Sequence, residues 1–237
     1  MNSDVIKIFI GYDPVESVAW HVMTHSILSR SSKPVAIIPI NIRNLKDIFH
    51  RERDPKQSNE FSFSRFLVPY LSNYEGYALF FDCDMMLRTD INEIFSVIDE
   101  QPDKALYVIK HSYQPHDEIK YLDTVQYQYP RKNWSSVVLW NCAHPAHKKV
   151  TPDYVNTASG LDLHRFTWLE DDDIGELNVR WNWLVGEYDE PPEDVKNVHW
   201  TVGGPYFEEY KSADFSDEWF KEHEIMNYCK QRGEVKK

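Results

Sequence analysis

The stretch "VIKIFIG" (5–11) is almost wholly apolar and rich in β-branched residues, which predicts a buried first strand. The spacing then changes to a helical one in "YDPVESVAWHVMTHSILSRS". Asp13, Pro14 and Glu16 fall at N-cap, N1 and N3, with Val15, Val18, Ala19, Val22 and Leu28 as the apolar face. "PVAIIPINI" (34–42) reads as a second strand, so the opening predicts a βαβ unit with a right-handed crossover and a parallel sheet. "RERDPKQSN" (51–59) has neither period and is a loop. "FSFSRFLVPYL" (61–71) predicts a helix that is interrupted or ends near Pro69.

Further on, "YALFF" is a strand. "TDINEIFSVID" restarts a helix, with Thr89 or Asp90 as cap and Ile91, Ile94, Phe95 and Ile98 inward. "ALYVIK" (105–110) and "SSVVLWN" (135–141) predict more strands. Beyond residue 150 the pattern thins to islands, among them "TWLEDDDIGEL", "VRWNWLVGEY" and "VKNVHWTVGGPYF". A C-terminal helix follows over about 216–232, capped by Ser216. The pattern is that of an α/β chain with a mostly parallel sheet flanked by helices.

At 237 residues, with no repeat and no Gly/Ser tract, one domain is expected. The net charge of −12 argues against nucleic acid or an anionic membrane as partner, so a phosphorylated substrate would need a cation to offset the charge. Three cysteines, Cys83, Cys142 and Cys229, without CxxC or zinc spacing, read as reduced thiols in a cytoplasmic protein. No secretory h-region opens the chain and no apolar run approaches a membrane span. The surplus of 8 Trp, 14 Tyr and 12 Phe suits sugar-binding grooves, although core packing absorbs most such residues.

"YALFFDCDMML" holds the main chemical signal. Asp82 and Asp84 follow an apolar strand at spacing i, i+2, which aims both carboxylates the same way. Three readings are open: a capping and a solvated acid; the aspartyl nucleophile and general acid of a haloacid-dehalogenase-type phosphatase; or a sugar-nucleotide site whose acids hold Mn²⁺ or Mg²⁺ against a diphosphate. A complete βαβ unit precedes the pair and Met85 follows it, which departs from the phosphatase pattern. His199 ends a strand-like run ahead of Gly203 and Gly204, whose missing side chains would let backbone N–H groups approach a phosphate. An imidazole beside two carboxylates suits manganese better than magnesium.

These islands, in this order, resemble the GT-A glycosyltransferases, and among them family 8, retaining enzymes that use nucleotide-diphosphate sugars. The resemblance runs from about Ile6 to Phe207. It implies a nucleotide-binding half over about 1–110, an acceptor half over about 111–210, and a first strand and turn (Gly11, Tyr12, Asp13) that meet the nucleotide, with Asp13 on the base. The D-x-D segment Asp82, Cys83 and Asp84 would bind donor and metal, with Asp84 also near the ribose and His199 completing the metal site. Arg65, 17 residues before Asp82, matches an arginine that touches donor sugar and diphosphate. "LEDDDIGEL" stands where the family has D-Q-D, so Asp171 would bind sugar hydroxyls and Asp172 would lie near the anomeric carbon. An acidic surface turn is the plain alternative for that run.

The family's late lysine on the diphosphate has no counterpart in "HWTVGGPY", and Trp134 or Asn133 stands near the place of its sugar-binding asparagine. The resemblance implies a transferase with a nucleotide-diphosphate sugar donor, a UDP-sugar favoured, and a carbohydrate or glycoconjugate acceptor. A sugar-nucleotide binding module without turnover is the non-enzymatic alternative.

Overall fold

The computed structural model describes residues 5–54, 57–111, 119–120, 124–125, 134–188 and 190–228. The opening strand β1 (Ile6–Gly11) runs into a 3-10 turn (Pro14–Glu16) and helix α1 (Ser17–Arg30), and strand β2 (Val35–Ile40) returns parallel to β1. Asp13 caps the turn as its sequence position predicts, accepting from the Val15 N–H at 3.0 Å. Glu16 departs from the capping-box expectation: it points inward and is buried. Ala19 and Val22 are buried as the apolar spacing predicts and Val18 packs on the second cluster, whereas Val15 and Leu28 are exposed and Met23, Ser26 and Ile27 complete the inward stripe.

The segment 61–71 is a 3-10 turn (Ser64–Leu67) followed by α2 (Val68–Leu71), with Pro69 in the first turn of α2. Proline thus starts this helix, where a missing N–H costs nothing, rather than ending one. Strand β3 (Tyr77–Phe81) follows, then β4 (Met85–Leu87) and a 3-10 turn capped by Asp90, which leads into α3 (Ser96–Glu100). The remaining strands are β5 (Leu106–Val108), the short antiparallel pair β6 (Ile119–Lys120) and β7 (Thr124–Val125), and β8 (Val137–Asn141). After them come α4 (Pro152–Thr157), α5 (Gly160–His164), β9 (Ile174–Glu176), β10 (Trp183–Leu184), β11 (Asn197–His199) and α6 (Ser216–Asn227).

Six strands form the main sheet in the order β2-β1-β3-β8-β5-β9, parallel at every pairing except those made by β8. A second sheet, β10-β11-β4, begins where β3 ends, so the residues between β3 and β4 form the joint between the two sheets. Phe9, Phe61, Phe66, Phe80, Phe81, Tyr107, Trp140 and Phe166 are fully buried, which places much of the aromatic surplus in the core. Trp183, Trp200 and Trp219 pack with Val22 and Met86 in a second cluster. Across that cluster, buried Glu222 of α6 meets His25 at 2.6 Å and Arg30 at 2.7 Å on α1. The Leu87 N–H donates to Ser26 Oγ at 3.0 Å, pinning β4 onto α1.

Candidate metal and donor site

Asp82 is the first residue past β3, and its N–H donates to the Ser136 carbonyl at 3.0 Å, which extends the β3–β8 ladder by one step. Asp84 is the last residue before β4. The register His199↔Met85 brings the end of β11 alongside, and the Trp200 N–H donates to the Asp84 carbonyl at 3.0 Å. Strand alternation and two-sheet pairing together converge the three side chains.

One ligand atom from each of Asp82, Asp84 and His199 lies within 4.8 Å of the other two. Bonds of about 2.0–2.6 Å around a hard divalent ion put its ligand atoms roughly 3–5 Å apart, so the donor set and its spacing fit such an ion. His199 Nε2 stands 3.3 Å from Asp84 Oδ1. Arg65, from the turn before α2, is buried and pairs with Asp82 at 2.6 Å while donating to the Ser135 carbonyl at 3.0 Å. Its guanidinium carbon sits over Phe61 and Phe80, 5.2 and 5.1 Å from their centroids. A buried guanidinium paired with Asp82 offsets part of the repulsion between Asp82 and Asp84. Arg65 Nε is itself buried without a hydrogen-bond partner among the described residues.

Cys83 faces the other way, as alternation requires. It is fully buried, with its thiol 3.7 Å from Glu16 Oε2, and burial, then the acids around it, pushes its pKa well up. Tyr206 donates to Glu16 Oε1 at 2.8 Å, tying the loop after β11 to the turn after β1. The thiol therefore stays protonated beneath the D-x-D segment and does not line the acid cluster.

Several other expected donor contacts find different work. Asp13 is buried, and its carboxylate accepts backbone N–H groups of Val15 and Glu60, each at 3.0 Å. It fastens the loop before Phe61 to the end of β1. A Cβ on Gly11 would lie 2.3 Å from the Phe61 ring, and Tyr12 packs edge-on against Trp20. Gly203 and Gly204 make room for aromatic rings: their Cβ atoms would fall 2.3 Å from Tyr210 and 2.2 Å from Tyr206. The Gly203 N–H already donates to the Trp200 carbonyl at 3.1 Å, so this turn is shaped by packing.

The structure does not bring Asp171 and Asp172 to the acid cluster. Both are exposed, in a 3-10 turn (Asp171–Asp173) ahead of β9. The turn is closed by a capping box between Glu170 and Asp173. Lys104 Nζ donates to the Asp172 carbonyl at 2.7 Å. The registers align Ile174 with Leu106, Leu106 with Trp140 and Trp140 with Ala78, which puts this turn at the opposite end of the sheet from Asp82. At about 3.3 Å per residue and 4.8 Å per strand the separation is on the order of 20 Å. Glu170 and Asp173 close the turn, and Asp171 and Asp172 face solvent at this distance from the acid cluster. Asp171→Ala and Asp172→Ala are expected to leave nucleotide binding and turnover within about twofold of the parent; a loss of tenfold or more in either would restore the acidic run to the site.

A buried amide behind His199 is the residue that sequence reasoning missed. Asn182 Oδ1 meets His199 Nδ1 at 2.8 Å, and Asn182 Nδ2 lies 2.8 Å from Ser136 Oγ and 2.9 Å from His111 Nε2. His111 Nδ1 in turn lies 2.6 Å from the Tyr188 hydroxyl. Burial, then the nearby His199, lowers the His111 pKa to about 3, and burial, then Glu187, raises that of Tyr188 to about 12, so both are neutral. Close by, Ser135 Oγ is 2.8 Å from His164 Nδ1, and Trp134 lies under Lys110, 5.9 Å from its Nζ. Asn133 and Cys229 lie outside the described residues.

Solved structures similar to this one include glycosyltransferases. The galactosyltransferase LgtC, in complex with donor and acceptor sugar analogues, is 11% identical with a TM-score of 0.59, covering 95% of this chain and 98% of that one. GlyE of Streptococcus pneumoniae is 12% identical at a TM-score of 0.62, over 94% of this chain and 62% of its own. The bifunctional glycosyltransferase WbbM is 11% identical at a TM-score of 0.65, over 93% and 50%. This chain thus spans only about half to two thirds of the latter two proteins, and shares with all three the GT-A fold. No helix among the described residues is long and apolar enough to cross a membrane. No family model matches the sequence. Over 227 residues, 93% of this chain and 87% of the relative, it is 47% identical to Protein CDI of Arabidopsis thaliana, and the chain belongs to the family of that protein.

Proposed function

We propose that this protein is a metal-dependent glycosyltransferase, akin to family 8, which moves a sugar from a nucleotide-diphosphate donor, a UDP-sugar favoured, to a carbohydrate or glycoconjugate acceptor with retention. The observation that carries the reading is the convergence of Asp82, Asp84 and His199 at the end of β3, in a fold shared with glycosyltransferases. Asp82 and Asp84 would hold Mn²⁺ or Mg²⁺ together with His199, whose imidazole favours manganese. A cation bound there supplies Lewis-acid stabilisation of the charge on the departing nucleotide, and in a chain of net charge −12 it also offsets repulsion of the diphosphate.

Arg65 positions Asp82, and its Nε–H, enclosed and without a partner among the described residues, would be the group left to meet a donor oxygen. Ser135 and Ser136, whose carbonyls hold Arg65 and the Asp82 N–H, set the spacing of the floor beneath the donor. The phosphatase alternative needs Asp82 as a nucleophile. A guanidinium 2.6 Å away withdraws the charge that such a nucleophile would use.

Thermal unfolding with a panel of nucleoside diphosphates and their sugars, with and without MnCl₂, tests the reading. At a ligand concentration 100 times Kd the gain is about 2.7 kcal/mol, or roughly 5–10 °C for a chain of this size. The shift is expected only when metal and nucleotide are both present. A protein indifferent to every nucleotide in Mn²⁺, yet releasing phosphate from an aryl phosphate, would overturn it.

A further inference from the structure

We infer that Asn182 is a positioning residue for the metal site: it fixes His199 with a proton on Nδ1, so that the Nε2 lone pair is aimed at the Asp82–Asp84 side before any metal arrives. The inference rests on the metal-site reading for its purpose, but the proton position is a property of the protein alone. An imidazole nitrogen that ligates a cation cannot carry a proton, so the fold must place the proton on the other nitrogen. Asn182 Oδ1, 2.8 Å from His199 Nδ1, is the acceptor for that proton.

An amide can be turned end for end, and what prevents it here is the rest of the chain of contacts. In the observed orientation both N–H bonds of Asn182 are directed at acceptors, Ser136 Oγ at 2.8 Å and His111 Nε2 at 2.9 Å. His111 then carries its own proton on Nδ1, which donates to the Tyr188 oxygen at 2.6 Å. Gly186, at φ +81°, makes the turn that returns Tyr188 to this place, and the Tyr188 ring packs on Trp183 with centroids 4.8 Å apart. Asn182 is itself fully buried between Trp181 and Trp183, both nearly so. Four groups, Tyr188, His111, Asn182 and His199, thus share one direction of proton donation, and reversing any one would reverse them all. Asn182 touches neither donor nor acceptor atoms in this account and acts only through His199.

The direct test is long-range ¹⁵N NMR of the neutral histidine rings in the metal-free parent protein. A protonated Nδ1 and an unprotonated Nε2 on His199 are expected, and the opposite tautomer or an even mixture overturns the inference. Mn²⁺ binding, followed by the electron paramagnetic resonance of the free ion, gives the second readout. Asn182→Leu removes the acceptor and is expected to weaken Mn²⁺ binding about 10–100-fold. Asn182→Asp, which keeps an oxygen against Nδ1, should recover most of the loss. Equal affinity in parent and Asn182→Leu would show that the amide does not position the ligand. Should Asn182→Leu fail to fold, the tautomer of the parent still decides. Absence of Mn²⁺ binding in the parent would instead remove the metal reading, leaving the tautomer result to stand on its own.

Discussion

Asp84→Asn is expected to abolish Mn²⁺-dependent binding of a nucleoside diphosphate while leaving the unfolding midpoint near that of the parent. The side chain is only partly buried, and the structural tie at this position is its backbone carbonyl, which accepts from Trp200 and survives the substitution. What is lost is one anionic oxygen facing His199 Nε2 at 3.3 Å. Asp82→Asn removes the same kind of ligand but should behave differently. Its carboxylate is half of a buried pair with Arg65 at 2.6 Å, and breaking such a pair costs about 3–5 kcal/mol when the partner is left uncompensated. The amide retains one oxygen for the guanidinium, so a smaller loss, about 1–3 kcal/mol, is expected, visible as a lower midpoint. Calorimetric titration of Mn²⁺ and nucleotide into both variants, beside thermal scans, separates the two effects. Parent-like metal and nucleotide binding in Asp84→Asn would remove the D-x-D assignment.

The contrast between these acids shows what the sequence could and could not reveal. That Asp82 and Asp84 point one way follows from strand alternation alone, and the strand is legible because "ALFF" has no polar interruption. His199 was findable because it ends an apolar run, and its partnership with Met85 across β11 and β4 is a matter of register that no local pattern specifies. Asn182 was invisible for a physical reason. Its partners His111 and Ser136 lie 71 and 46 residues away, and an uncharged amide between two tryptophans carries no spacing signature. The acidic run 170–173 is legible in the opposite sense: four charges in a row look like chemistry, yet Glu170, Asp171 and Asp172 face solvent and Glu170 and Asp173 close the turn. Gly203 and Gly204 read in sequence as a turn that brings backbone N–H groups to a phosphate, whereas the atoms that a Cβ would meet there belong to Tyr210 and Tyr206.

Arg65→Lys should lower turnover about 10–100-fold while the protein remains folded. Lysine keeps the positive charge that Asp82 needs, so the buried pair is weakened rather than abandoned. An ammonium, however, is a point charge without the planar fork of a guanidinium. It cannot at once meet Asp82, donate to the Ser135 carbonyl now 3.0 Å away, lie flat over Phe61 and Phe80, and offer an Nε–H. If the last of these groups meets a donor oxygen in the transition state, its removal costs the roughly 1.5–3 kcal/mol typical of a hydrogen bond to a charged group, which is the stated loss in rate. A purely structural arginine predicts something else: a lower midpoint, with kcat/KM per folded molecule unchanged. Measuring kcat/KM well below the midpoint, normalised to the folded fraction, distinguishes the two. Parent-like turnover there would confine Arg65 to holding Asp82 in place.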